Sequence, residues 1–346
     1  MQSRDHQSLE RPTPSVPDAV SQTADRQLNC LSVDVEEFFQ CEAFAQVINI
    51  GQWSEYERRA RPFIERIAEL LDQHKSRATF FVLGWTVPYL AHLLRQLAAA
   101  GHEIACHGEN HQHLSRMTPR RLRTDLEQSR QRIEDAVGTS PRGYRAPTFS
   151  ITNETAWALD VIIEAGFEYD ASIYPIRHDR YGIPGAPVTP FWAVAPSGTR
   201  ILEFPPLTLD WGLLRVPLGG GGYLRLLPVN VLRRAIARRQ KQRAATMLYV
   251  HPWELDPDQP RQPIGPLATW RHRVNLHKTG SKLERLLTWF HFDTAQAVLD
   301  RIQPLHELPI YELAGANQRA SGGGPVATKS QTSVKSPRSG ATSETT

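Results

Sequence analysis

Short apolar runs alternate with segments of helical periodicity through most of the 346-residue chain, and few folds satisfy that order. "LSVDV", "ATFFVLG", "EIACH" and "TMLYVH" read as buried strands. "RPFIERIAELLDQH" sets Phe63, Ile67, Leu70 and Leu71 on one helical face. "PYLAHLLRQLAAAGH" reads as a helix that stops at Gly101, a residue suited to the left-handed turn that ends helices. "TPRRLRTDLEQSRQRIEDAVG" opens with a Thr118 cap and Pro119 in the first turn, and closes at Gly138. "NETAWALDVIIEAGF" repeats the pattern with Asn153 as cap and Gly166 as stop. Strands that alternate with helices pair in parallel, so the fold class is α/β with a mainly parallel sheet, open or closed.

With 40% apolar and 22% charged residues, the chain has the composition of a soluble globular protein. Its net charge of +4 is small for this length and predicts no nucleic-acid partner. Three cysteines, Cys30, Cys41 and Cys106, give no sign of a disulfide framework. No apolar run is long enough to span a bilayer, and the amino terminus lacks the apolar core of a signal peptide. The expected location is therefore cytoplasmic. Residues 1–27 are polar and Pro-containing and read as a disordered lead. Residues 315–346 are rich in Ser, Thr and Gly and read as a disordered tail, because they cannot bury enough surface to offset their ordering entropy. The globular part is expected over 28–314. The Gly219–Gly222 run lacks the ending of a phosphate loop and reads as a flexible loop at a barrel rim.

Four segments carry the chemistry. In "SVDVEE", strand alternation puts Asp34 and Glu36 on one face, with Val33 and Val35 on the other. Glu37 points away if the strand continues and swings in if it has ended. In "HGENH", His107 and His111 are four apart directly after a strand, a spacing that can aim two imidazoles at one metal, with His113 as a neighbouring competitor. Exposed histidines are common, so the pair alone is weak. "YRAP" places Arg145 at a strand end, and "YVHPW" does the same for His251. Carboxyl ends of parallel strands meet at one rim, where such sheets hold their sites. One carboxylate with two histidines is a facial metal set, and a second carboxylate beside it suits a base. Trp211 and Trp253 lie near the rim, where they would stack on a sugar or simply fill the core.

These motifs, in this order, resemble those of the polysaccharide deacetylases with NodB homology, carbohydrate esterase family four. The resemblance spans about residues 28–305. It is strongest to the branch found beside exopolysaccharide and exosortase loci, whose C-terminal extension is matched by "GGGGYLRLLP", "LYVHPWELDPDQPR" and "RHRVNLHKTGSKLERLL". The resemblance implies a distorted (β/α) barrel of about seven parallel strands, with core motifs in 28–215 and the extension in about 216–314. It implies a divalent metal, most often zinc, and hydrolysis of N-acetyl groups on a glycan. Asp34 would be the general base, His107 and His111 metal ligands, Arg145 the partner that orients Asp34, and His251 the general acid. Many members carry two consecutive acids, where this chain has Val35. The metal carboxylate then comes from Glu36, favoured by strand geometry, or from Glu37. Asp170 in "EYDASIYP" is the candidate to orient His251, with a turn or capping role as the alternative. Peripheral association with a glycan synthesis complex is compatible with the absence of a membrane span. Two other readings remain: a metal-independent amide or ureide hydrolase like the allantoinase relatives, and a non-catalytic glycan-binding protein. Binding alone needs neither a base nor an acid, so Asp34 together with His251 argues against the last.

Overall fold

The computed structural model describes residues 28–211, 214–302 and 304–313. The lead at 1–27 and the tail at 315–346 lie outside these residues. The strands are β1 (Asn29–Val35), β2 (Thr79–Val82), β3 (Glu103–Cys106), β4 (Gly143–Tyr144), β5 (Tyr169–Asp170), β6 (Phe191–Val194), β7 (Arg200–Glu203), β8 (Thr208–Trp211), β9 (Leu214–Pro217), β10 (Thr246–Val250) and β11 (Ile310–Glu312). Strands β10, β1, β2, β3, β4, β5 and β7 pair in parallel in that spatial order, which gives the seven parallel strands expected. Beyond them, β6 runs antiparallel to β7, and β11 pairs with β6 at the edge. Strands β8 and β9 form a separate antiparallel hairpin.

The helices lie where the sequence periodicity puts them. Helix Ala60–Gln73 buries Ile64, Ile67, Leu70 and Leu71 against the sheet, with Ile64 rather than Phe63 on the inner face. Helix Pro119–Val137 begins at Thr118, whose hydroxyl accepts from Arg121 N, and ends at Gly138 with φ 85°. Helix Trp157–Glu164 starts later than an Asn153 cap would place it, because residues 153–156 form turns first. Val33 and Val35 on β1 face the helical layer as part of the main apolar core. Ser32 and Asp34 face the opposite way and are also buried. That alternation aims polar side chains into the interior of the curved sheet. All three cysteines are unpaired. No helix among the described residues is long and apolar enough to cross a membrane.

No ladder joins β10 to β7 among the described strands, so the barrel is not closed by strand pairing. A seam of single contacts bridges the gap. Leu207 N donates to Met247 O at 2.9 Å, and Tyr249 N donates to Gly219 O at 2.7 Å. Gly219 N donates in turn to Tyr174 Oη at 3.0 Å. The glycine run is therefore a packed seam, not the flexible rim loop its composition suggested. Glycine is required at position 220 by contact: a Cβ there would sit 1.9 Å from Tyr249 O. Gly220→Ala is expected to destabilise the protein by about 1–3 kcal/mol through overpacking against backbone that cannot yield. Equilibrium urea unfolding checks this, and a change below about 0.5 kcal/mol, usual for surface sites, would contradict the tight seam.

Candidate active site

The site lies at the rim where the parallel strands end. Asp34 stands near the end of β1 and Glu36 just past it, while His107, Arg145 and His251 each follow directly after β3, β4 and β10. The strand ends supply position, and the loops supply aim. The loop after β3 is held by helix Pro119–Val137: Asp125 Oδ2 accepts from Glu109 N at 2.8 Å, and Ser129 Oγ donates to Gly108 O at 3.0 Å. His111 adopts φ 47°, a costly conformation for a residue with a Cβ, and one that turns its ring back toward His107. The two ring centroids are 5.3 Å apart.

Arg145 is fully buried and spans the sheet interior. Its Nη1 donates to Asp34 Oδ1 at 2.5 Å and to Ser32 Oγ at 2.8 Å, and its Nε donates to Ala171 O at 3.2 Å. Its guanidinium lies 4.1 Å from the centroid of the Phe81 ring. The main chain of the same residue fixes a histidine: His107 Nδ1 lies 2.7 Å from Arg145 O. A carbonyl only accepts, so Nδ1 carries the proton and Nε2 keeps the lone pair. Burial lowers the His107 ring to about 4, which leaves it neutral at pH 7.

Glu36, His107 and His111 each present one ligand atom, and these atoms lie within 4.8 Å of one another. Glu36 Oε2 is 2.7 Å from His111 Nε2. Glu36 Oε2 and His111 Nδ1 are buried without a hydrogen bond. A divalent cation fits this set, since it would engage the Glu36 oxygen that the protein leaves unsatisfied and needs a neutral imidazole such as His107. Glu37 takes no part. Its Oε2 accepts from Arg59 N at 2.8 Å and Ala60 N at 3.0 Å, and its Oε1 accepts from Tyr89 Oη at 3.1 Å, so it anchors the start of helix Ala60–Gln73. His113 is also outside the cluster, paired with Ser115 and the Arg180 carbonyl.

Comparison with known proteins bears on the fold and the matched segments. Residues 53–169 match the polysaccharide deacetylase family, and residues 171–300 match a domain of unknown function. Residues 53–169 thus carry the sequence pattern of a polysaccharide deacetylase domain. A peptidoglycan deacetylase of Helicobacter pylori is 30% identical over 110 residues, 32% of this chain and 36% of that protein. The chain thus aligns with about a third of the length of the first curated relatives it matches. A Mycobacterium smegmatis protein assigned as a polysaccharide deacetylase shares the fold with TM-score 0.54 at 18% identity, covering 87% of this chain and 97% of that one. An allantoinase shares it with TM-score 0.53 at 17% identity, covering 84% and 93%.

His251 completes the rim. Its Nε2 is 3.7 Å from Asp34 Oδ2 and 3.6 Å from Glu36 Oε1. Its Nδ1 is 2.5 Å from Glu254 Oε1. Asp170, the sequence candidate for that orienting role, is engaged elsewhere. It accepts from Ser172 Oγ at 2.5 Å, and burial raises both its carboxyl and that of its neighbour Glu203. Sequence reading also missed Trp253 as a polar contact, whose Nε1 donates to Glu36 Oε1 at 2.8 Å. The signal available was the acid three residues after His251 in "HPWE", since the short helical turn at Pro252–Leu255 brings such residues together. The side chain of Trp211 lies outside the described residues.

Burial alone would raise the Glu36 carboxyl, but the charges of His111 and His251 outweigh it and hold the group well below the usual range. Burial would lower the His251 ring, but Glu36, Glu254 and Asp34 raise it to about 9. His251 is therefore protonated at neutral pH in the metal-free protein and loses its proton as pH rises through about 9. Glu36→Gln removes the largest raising charge, so the His251 midpoint should fall toward the free-imidazole value of ~6.5. NMR titration of the ring checks this, and an unmoved midpoint would contradict it. Arg145→Met leaves the Asp34 charge buried without its partner and should cost about 3–5 kcal/mol. Adding Asp34→Asn should recover part of that loss in the double mutant, and strict additivity in denaturant unfolding would contradict the pairing.

Proposed function

We propose that the chain is a metal-dependent hydrolase that removes N-acetyl groups from amino sugars of a polysaccharide or its precursor, with zinc as the metal. The observation that carries this reading is the convergence of Glu36, His107 and His111 beside an Arg145-held Asp34, with His251 3.7 Å from Asp34. Glu36, His107 and His111 would hold a divalent cation, which would supply Lewis acidity toward water and the acetyl carbonyl. The remaining work belongs to the chain. Arg145 occupies Asp34 Oδ1, so Oδ2 is the oxygen left to take a proton from the attacking water. His251 gives its proton to the sugar nitrogen as the carbon–nitrogen bond breaks. The products are acetic acid and a free amino sugar, and the two residues exchange protons with solvent before the next cycle.

A cavity of about 390 Å³ opens beside His111, lined in part by Phe39, Trp53, Asn110, Gln112 and Arg116. Its mixture of aromatic and amide side chains suits a sugar ring, and its volume falls in the usual range for ligand sites. A place in exopolysaccharide biosynthesis is supported by the extension motifs read in the sequence. Purified protein should release acetate from N-acetylglucosamine oligosaccharides. Chelation should remove this activity, and a divalent ion should restore it. His107→Ala/His111→Ala should lower kcat/KM by at least ~100-fold. Full activity in that variant would defeat the proposal, and an active but metal-free preparation would favour the metal-independent amide hydrolase instead.

A further inference from the structure

The segment 171–300 matches only a domain of unknown function, yet it supplies His251, Trp253 and Glu254. It also supplies the residues behind them. Arg225 and Glu254 are both buried, and Arg225 Nε lies 3.0 Å from Glu254 Oε2, an ion pair by distance that lacks hydrogen-bond geometry. The other oxygen of the same carboxylate meets His251 Nδ1 at 2.5 Å. Arg225 is held in turn. Its Nη1 donates to His272 O at 2.5 Å, and its guanidinium lies 5.4 Å from the centroid of the Trp253 ring.

The backbone that carries Arg225 is clamped from helix Leu276–Trp289 and its cap. Lys282 Nζ donates to the carbonyls of Leu224, Arg225 and Leu227 at 2.6–2.9 Å. Asn275 Nδ2 donates to Arg225 O at 3.1 Å. Lysine here satisfies the orphan carbonyls at the end of the short helix Gly221–Leu226, the role a cation plays best at that end. Trp253 stacks between the rings of His251 and His272, at 5.0 Å and 4.6 Å, while its Nε1 holds Glu36.

Building on the deacetylase reading, we propose that the domain of unknown function completes the catalytic centre: Arg225 and Glu254 are positioning residues that aim His251 at the leaving nitrogen. The physical reason is tautomer and angle. An imidazole with one nitrogen tied to a carboxylate presents its other nitrogen in one direction, and a buried carboxylate keeps its charge and place when a buried guanidinium opposes it. Lys282 and Asn275 extend that fixation into the extension. This accounts for the three separated motifs of the extension as one support for one ring.

The test compares two leaving groups in the full chain. An N-acetyl sugar needs a proton delivered to nitrogen, whereas 4-nitrophenyl acetate releases a phenolate that needs none. Glu254→Gln should lower kcat/KM on an N-acetylglucosamine oligosaccharide about 100-fold, with KM little changed, and the loss on the aryl ester should be at least ~10-fold smaller. Arg225→Lys keeps the charge but not the fork, and should show the same selective loss in milder form. Equal losses on both substrates, or no loss on either, would overturn the inference. Wild-type protein inactive on the oligosaccharide would sink the deacetylase reading alone. The aim of His251 is then read by ¹⁵N NMR: a strongly hydrogen-bonded Nδ1 proton in the wild type that disappears in Glu254→Gln supports the inference, and an unchanged ring signal overturns it.

Discussion

Everything at the rim depends on one cation buried inside the sheet. Arg145 is fully enclosed, and a guanidinium in that position is tolerable only if its donors are met and its charge is opposed. Asp34 opposes the charge, while Ser32 and the Ala171 carbonyl take further donors. The pair ties β1 to β4 through side chains, and the Arg145 carbonyl ties β4 to His107. A single residue therefore sets the carboxylate, the histidine tautomer and the spacing between them. Charge burial that would be destabilising for Asp34 alone becomes a means of fixing its orientation.

Beside this pair, a second group of charges is balanced from the far end of the chain. Glu36 lies between His111 and His251 and accepts from Trp253. His251 in turn rests on Glu254 and Arg225. The early motifs bring the acids and the histidine pair, and the late segment brings the ring and its supports. Neither half carries the arrangement alone. The two segments matched by separate family models meet at one rim.

Much of this was legible in the sequence for physical reasons. Period-two and period-3.6 patterns report burial directly, so β1, β2, β3 and β10 and the helices between them could be read from "LSVDV", "ATFFV", "EIAC" and "TMLYV". Strand direction then put Asp34, His107, Arg145 and His251 at one end. Alternation separated Glu36 from Glu37, and in the structure Glu36 lies beside the histidines one residue past β1 while Glu37 binds Arg59 and Ala60. What could not be read has no local signature. The Arg225–Glu254 pair joins residues far apart in sequence, with no periodicity to link them. Asp170 looked suitable by type, but its partner Glu203 sits on β7, a strand whose neighbours depend on topology rather than pattern. The glycine run looked mobile by composition, because composition does not reveal the Tyr249 backbone packed against it.

The proposed function rests on Glu36, His107 and His111 forming one cation site within this constellation. Anomalous diffraction from crystals grown with zinc, recorded on either side of the zinc edge, tests it most directly. The expected result is a single strong peak bonded to Glu36, His107 and His111, with Asp34 and His251 facing it and Glu37 still bound to Arg59 and Ala60. A peak ligated by Glu37, or by His113 in place of His111, would contradict it.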